Sequence, residues 1–337
     1  MENQSGHSAD QRPVVEDHTF PCSVMILENE PMNTPSVPIL LGIPFDDYSS
    51  YLRGAAEAPG KIREALRCDA SNMWTELGVD LGAAGIYEDA GDLTLAQAPG
   101  SRKTGETQGT PGSAVAAKSR KSGKVQGTPQ TLSAAPQDPF AAIEAGVGVL
   151  LEQGKRPVLL GGDHSITYPI VKAFARHYRE LTIFHFDAHP DLYDEFEGNR
   201  HSHACPFARI MEAGLAKRLV QVGIRTANRH QRAQAEKFGV EVIEMRALPA
   251  YAKLKAAGPV YVSFDMDVLD PAFAPGLSHR EPGGMSVREA VAHLQAIEGE
   301  IVGADVVEYN PLQDVAGVTA TVAAKILKEI LGKMTAA

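Results

Sequence analysis

The chain has 337 residues, enough for one large α/β domain or two small ones, and 44% of them are hydrophobic, the share of a protein that buries a sizeable core. Its formal net charge of -10 disfavours nucleic acid, whose phosphates it would repel, and suits either a small cationic substrate or a solvated acidic surface. No run approaches the roughly 18 apolar residues of a membrane span.

Residues 1–34 are polar, acidic and broken by proline, with neither the basic start nor the apolar core of a secretory signal. They read as a flexible leader on a cytoplasmic protein. From Pro35 onward apolar strands alternate with helices. VPILLGIPF is followed by a helix from Gly60 to Cys68, GIYEDAGDL by a helix from Asp138 to Gln153, and RPVLLGGDHS by a helix through Ile170 to Tyr178. LTIFHFDAH then precedes a helix from Phe207 to Leu215, RLVQVGIR a helix from Arg229 to Phe238, and VEVIEM and PVYVSFDMD a helix from Val287 to Ile297. IVGADVVEYNP and a last helix from Val318 to Leu331 complete the order. About eight strands in such alternation predict a single three-layer α/β/α domain, 35–337, around a doubly wound, mainly parallel sheet. Residues 96–137 interrupt it with a basic, low-complexity stretch in which QGTP occurs twice, a solvated insertion or a docking segment for an acidic partner. The odd, scattered set Cys22, Cys68 and Cys205 fits neither a disulfide framework nor a zinc knuckle, and reads as free thiols.

Six potential metal ligands fall in three clusters, each at the carboxyl end of an apolar run: His164 in GGDHS, Asp187, His189 and Asp191 in FHFDAHPD, and Asp265 and Asp267 in VSFDMDVLDP. Any one of these acids alone is as well explained as a turn former or helix cap. Together they sit where open parallel sheets place their ligands. The alternation 187, 189, 191 and 265, 267 projects side chains to one face of an extended segment. Four carboxylates and two imidazoles neutralise and ligate two dications, whereas one ion needs fewer acids. Water between two dications loses much of its proton affinity and can attack an electrophilic carbon. Glu308 is a further carboxylate at a strand end, costly there unless it meets a cation, whether a substrate or a structural partner such as Arg225 or Arg280.

These segments, with DAHPDLYDEFEGNRHSHACPF, SFDMDVLDPAFAPGLSHREPGGMS and GADVVEYNP, closely resemble the ureohydrolase family of arginases and agmatinases, plant-type arginases most of all. The resemblance runs from Pro35 to the end, outside the insertion. It implies one ion held by His164, Asp187, Asp191 and Asp265, and a second by His189, Asp187, Asp265 and Asp267, with Asp187 and Asp265 bridging. The ions implied are two Mn²⁺ per subunit, with Ni²⁺ the alternative. It further implies a catalytic set of His203 (proton shuttle), Glu308 (grip on the guanidinium) and Asp191, and assembly as a trimer or hexamer. The expected reaction hydrolyses a guanidino group to urea and an amine, arginine to ornithine first, then agmatine, guanidinobutyrate or guanidine. The far end of the substrate is the part the motifs leave open: the candidates are Asn199 and Arg200 in EGNRHSH, and Asn228, which stands where animal-type arginases carry a carboxylate. Two rival readings are amide hydrolysis at one zinc, which needs fewer acids, and a non-catalytic homologue that docks through its insertion.

Overall fold

The computed structural model describes residues 36–95, 138–248 and 254–336. The expected leader and insertion, and Cys22 within the leader, lie outside the described residues. The strands are β1 (Pro38–Gly42), β2 (Glu88–Asp92), β3 (Arg156–Leu160), β4 (Thr182–Phe186), β5 (Arg218–Ile224), β6 (Glu241–Glu244), β7 (Leu254–Lys255), β8 (Val260–Asp265), β9 (Ile297–Glu298) and β10 (Ile301–Val307). The α-helices are α1 (Ala58–Leu66), α2 (Pro139–Glu152), α3 (Thr167–Phe174), α4 (Pro206–Glu212), α5 (Arg229–Phe238), α6 (Val287–Gln295) and α7 (Val318–Thr335).

Eight strands form one sheet in the order β2-β1-β3-β10-β8-β4-β5-β6, and every pairing in it is parallel. The two-residue strands β7 and β9 pair only with each other. Residue parity along each strand decides which helical layer a side chain meets. Leu40, Val158, Val262 and Val306 pack under α1, α6 and α7, while their neighbours Leu41, Leu159, Tyr261 and Val307 pack under α2, α3 and α4. This burial on both faces explains why the central strands read as continuous apolar runs rather than alternating ones. The edge strand β2, EDAGD, is exposed throughout and carries three acids, which discourages further pairing.

Helix starts follow local chemistry. Asn228 with Gln231, and Ser286 with Glu289, form reciprocal capping boxes at α5 and α6. Pro139 and Pro206 open α2 and α4, where a missing N–H costs nothing. Two expected helices end early: the one from Phe207 stops at Glu212, ahead of the left-handed Gly214 (φ 62°), and the one through Ile170, which follows directly on the 3-10 turn His164–Ile166, runs from Thr167 only to Phe174. None of the described helices is long and apolar enough to cross a membrane.

Candidate metal centre

The sheet order places the site. Strands β3, β10, β8 and β4 are consecutive at its middle, and the chain reverses its winding there, since β8 and β10 fill the gap between β3 and β4. His164 follows β3, Glu308 follows β10, Asp265 ends β8 and Asp187 follows β4. Four segments remote in sequence therefore meet at the carboxyl ends of the central strands.

The turn after β3 depends on Gly162. A Cβ there would overlap the Phe45 carbonyl, and the Gly162 carbonyl accepts Glu308 N at 3.0 Å. Replacing Gly162 with alanine should lower stability by about 1–3 kcal/mol, the usual cost of overpacking. An unchanged urea-unfolding midpoint would contradict this. Asp163, buried behind the turn, accepts Tyr48 N and Ser49 Oγ, each at 3.1 Å, and so ties the segment carrying Ser50 to the site. Burial and the nearby Glu308 charge raise its carboxyl to about 6.

His164 Nδ1 faces Asp187 Oδ2 at 3.2 Å, Asp191 Oδ2 at 3.1 Å and Asp265 Oδ2 at 3.0 Å. None of these contacts has hydrogen-bond geometry, and the nitrogen is buried without a partner. On its other side Nε2 meets Ser263 Oγ at 3.0 Å, and that hydroxyl donates to Asp305 Oδ1 at 2.7 Å, so Ser263 accepts from the ring and Nε2 carries the proton. Asp305 also accepts Tyr261 and Thr167 hydroxyls. The Nδ1 lone pair is thus left pointing at three carboxylate oxygens. Spacings of about 3 Å are those of neighbouring ligands around one octahedral cation with bonds near 2.1 Å.

The second cluster adjoins it. His189 Nδ1 lies 2.9 Å from Asp267 Oδ2 and 3.5 Å from Asp187 Oδ1, so the two oxygens of Asp187 face different histidines. Asp265 Oδ1 accepts Asp267 N at 2.7 Å, and Asp187 Oδ1 accepts His189 N at 2.5 Å, which fixes the carboxylates relative to one another. Burial, then like charge, pushes Asp265 well up and Asp267 up. This surplus of buried negative charge is what divalent cations would cancel, so the donor set fits two of them.

Above the clusters opens a cavity of about 520 Å³ lined by His189, Asp191, Asp265, Asp267, His203 and Glu308. His203 Nδ1 is 3.0 Å from Glu308 Oε1, and its Nε2 is 2.8 Å from Ser50 Oγ. Burial opposes a charged imidazole, but the Glu308 carboxylate outweighs it and lifts His203 to about 9. Glu308 is held below its ordinary value: burial raises it, and the His203 charge more than reverses this. Asp191 and Glu308 both adopt left-handed backbone conformations, at φ 48° and 63°, strain of the kind that collects at functional positions.

Other expected residues are placed differently. Arg200 pairs with Asp194 and Glu212 at 2.8 Å each, and Asn199 closes a turn with Phe196; neither lines the cavity. Asn228 does line it, but its amide is committed to capping α5 and to Tyr193 Oη at 2.6 Å. Arg225 and Arg280 donate to main-chain carbonyls rather than to Glu308. Cys205 is buried, and burial raises its thiol to about 12, an inert group. Ser50 and His279, which also line the cavity, and His185, Ser263 and Asp305, which stand behind the ligands, were not among the expected residues. The one signal for His185 and Asp305 was a polar residue inside an apolar strand, TIFHF and IVGADVV.

The Arginase family model matches residues 38–332. The mitochondrial arginase of Medicago truncatula is 43% identical over 305 residues, 88% of this chain and 81% of that protein. Arginase 2 of Arabidopsis thaliana, named chloroplastic/mitochondrial, is 41% identical over 88% of this chain and 80% of its own. The solved structure of an arginase from Medicago truncatula superposes with a TM-score of 0.75 at 41% identity, covering 90% of this chain and 88% of that one. The cytoplasmic location expected above is overturned by these relatives, which are named mitochondrial or chloroplastic. Lack of a secretory pattern has no bearing on an organellar address, which rests on an amphipathic, arginine-rich segment instead. With the eight-stranded parallel sheet and the matched span taken together, the chain belongs to the arginase family of hydrolases acting on amidine C–N bonds.

Proposed function

We propose that the chain hydrolyses L-arginine to ornithine and urea at a pair of divalent cations, Mn²⁺ in preference to Ni²⁺. The observation that carries this reading is the pair His164 Nδ1 and His189 Nδ1, each aimed at carboxylate oxygens and joined through the two oxygens of Asp187. The first ion would be held by His164, Asp187, Asp191 and Asp265, the second by His189, Asp187, Asp267 and Asp265. Such a pair, when bound, supplies a water activated for attack near neutral pH.

The remaining steps belong to the chain. Glu308 offers a buried, ionised carboxylate whose present partners are the His203 ring and His164 N, the latter at 2.8 Å. A planar guanidinium presents paired N–H donors that match it. When the guanidinium takes over as partner of Glu308, the His203 proton is released from that bond and stands ready for the departing amine. Ser50 keeps the ring oriented meanwhile.

The carboxylate end of arginine is matched at the cavity rim. Arg225 and Arg232 are the permanent cations among the described lining residues. Arg225 is turned to the carbonyls of Asp267, Val268 and Glu281, whereas Arg232 gives only Nη1 to Glu244, at 2.7 Å. Replacing Arg232 with glutamine should raise KM for arginine about 5- to 20-fold and leave agmatine, which lacks the carboxylate, unaffected. Equal effects on both would contradict this assignment. Assembly as a trimer or hexamer goes with the same reading. So does a single domain over 35–337 whose insertion falls between the complete elements β2 and α2.

Urea release by Mn²⁺- and Ni²⁺-loaded protein against arginine, agmatine, guanidinobutyrate and guanidine tests the proposal. Urea chiefly from arginine supports it. No urea from any of the four, with two metals bound per chain, overturns it.

A further inference from the structure

We propose that His185 and Gln221 form a positioning relay that fixes the bridging carboxylate of Asp187, an inference that rests on the metal-centre reading above. His185 is on β4, two residues before Asp187, and is fully buried, its ring stacked on Phe207 at 3.8 Å between centroids. Gln221 lies beside it on β5, also fully buried, at the register partner of His185.

Polarity along the relay follows from its far end. Gln221 Nε2 is 2.5 Å from the Pro190 carbonyl, an oxygen that only accepts, so the amide nitrogen is the atom on that side. The same nitrogen is 3.0 Å from His185 Nδ1. Having one N–H on Pro190, it directs the other at Nδ1, which must therefore accept. The ring proton is left on Nε2, 2.7 Å from Asp187 Oδ2. That oxygen is the one facing His164 Nδ1. His185 has neither nitrogen free to ligate a metal, despite standing in a His164, His185, Asp187 group of metal-binding composition. Its role is to hold Oδ2 in place, so that Oδ1 faces the His189 cluster and Oδ2 the His164 cluster.

The relay predicts that changing donor into acceptor matters as much as removing the ring. Gln221→Glu keeps shape but cannot donate to Nδ1 or to Pro190. His185→Phe keeps the stack on Phe207 and removes both nitrogens. His185→Gln can return an amide N–H near the Nε2 position. Mn²⁺ titration calorimetry and Mn²⁺ electron paramagnetic resonance on the full chain, with circular dichroism as a check of fold, read the outcome. Both disruptive variants should bind one of two Mn²⁺ about 10- to 100-fold more weakly, the usual effect of losing a partner that orients a ligand. The spin-coupled spectrum of an ion pair should give way to that of a single ion. His185→Gln should recover part of both. Because Gln221→Glu places a buried carboxylate and can fail to fold, His185→Phe decides alone if it does. Two Mn²⁺ bound with unchanged affinity and a coupled spectrum in folded His185→Phe would overturn the relay and leave the metal centre intact. A wild-type chain that binds no Mn²⁺ would overturn both.

Discussion

Asp187→Ala is expected to abolish urea release while leaving the protein folded. Among the described residues, Asp187 is the one carboxylate whose two oxygens face both histidine clusters, at 3.2 Å from His164 Nδ1 and 3.5 Å from His189 Nδ1. With two ions held as proposed above, its loss would remove a ligand from each at once. Metal centres of this kind supply several kcal/mol to the transition state, at about 1.4 kcal/mol per tenfold in rate, so a fall of about three orders of magnitude or more is expected. The fold should survive, because the residue sits at the carboxyl end of β4 among other carboxylates rather than in either apolar layer. Urea assays paired with metal analysis check both parts. Retained activity with two metals per chain would remove Asp187 from the site.

The second large effect concerns Glu308 and His203. Glu308→Gln should depress urea release about 10²- to 10⁴-fold, the range for loss of a group that serves acid–base chemistry. It should also move His203. In the metal-free wild type the imidazole is raised from 6.5 to about 9, because the neighbouring carboxylate outweighs burial. Without that carboxylate burial dominates and the ring should titrate near or below 6.5. The sign of the linked stability follows. The His203 contribution is fully present below about pH 6.5 and is lost as pH rises through about 9. That of Glu308, lowered from 4.5, is present above that value and lost as pH falls through its folded one. Nuclear magnetic resonance titration of metal-free wild type and Glu308→Gln measures this directly. A His203 ring that titrates alike in both would contradict the pairing.

The parallel sheet and its ligand clusters were legible because strands buried on both faces read as unbroken apolar runs, and because a charge directly after such a run stands out. Asp187, Asp265 and Glu308 are all of this kind, and His164 stands four residues beyond Leu160 in the turn GGDHS. The far end of the substrate was not legible. Arg200 and Asn199 lie in the same polar loop as His203, but a loop's side chains are directed by tertiary partners, and Arg200 finds Asp194 and Glu212 instead. Arg232 is one helical turn into an amphipathic helix, where nothing in its sequence context separates it from a solvated arginine. The supports behind the ligands, Ser263 with Asp305 and Gln221 with His185, join residues on neighbouring strands whose register only the folded sheet supplies. Backbone strain at Asp191 and Glu308 leaves no trace in composition either.

In the proposed centre His164 and His189 would each face one cation of a dinuclear pair. A crystal of Mn²⁺-loaded protein measured at the manganese absorption edge tests it most directly. Two anomalous peaks are expected, one within bonding distance of His164 Nδ1 and Asp191, the other of His189 Nδ1 and Asp267, with Asp187 between them. A single peak, or peaks away from both histidines, would contradict it.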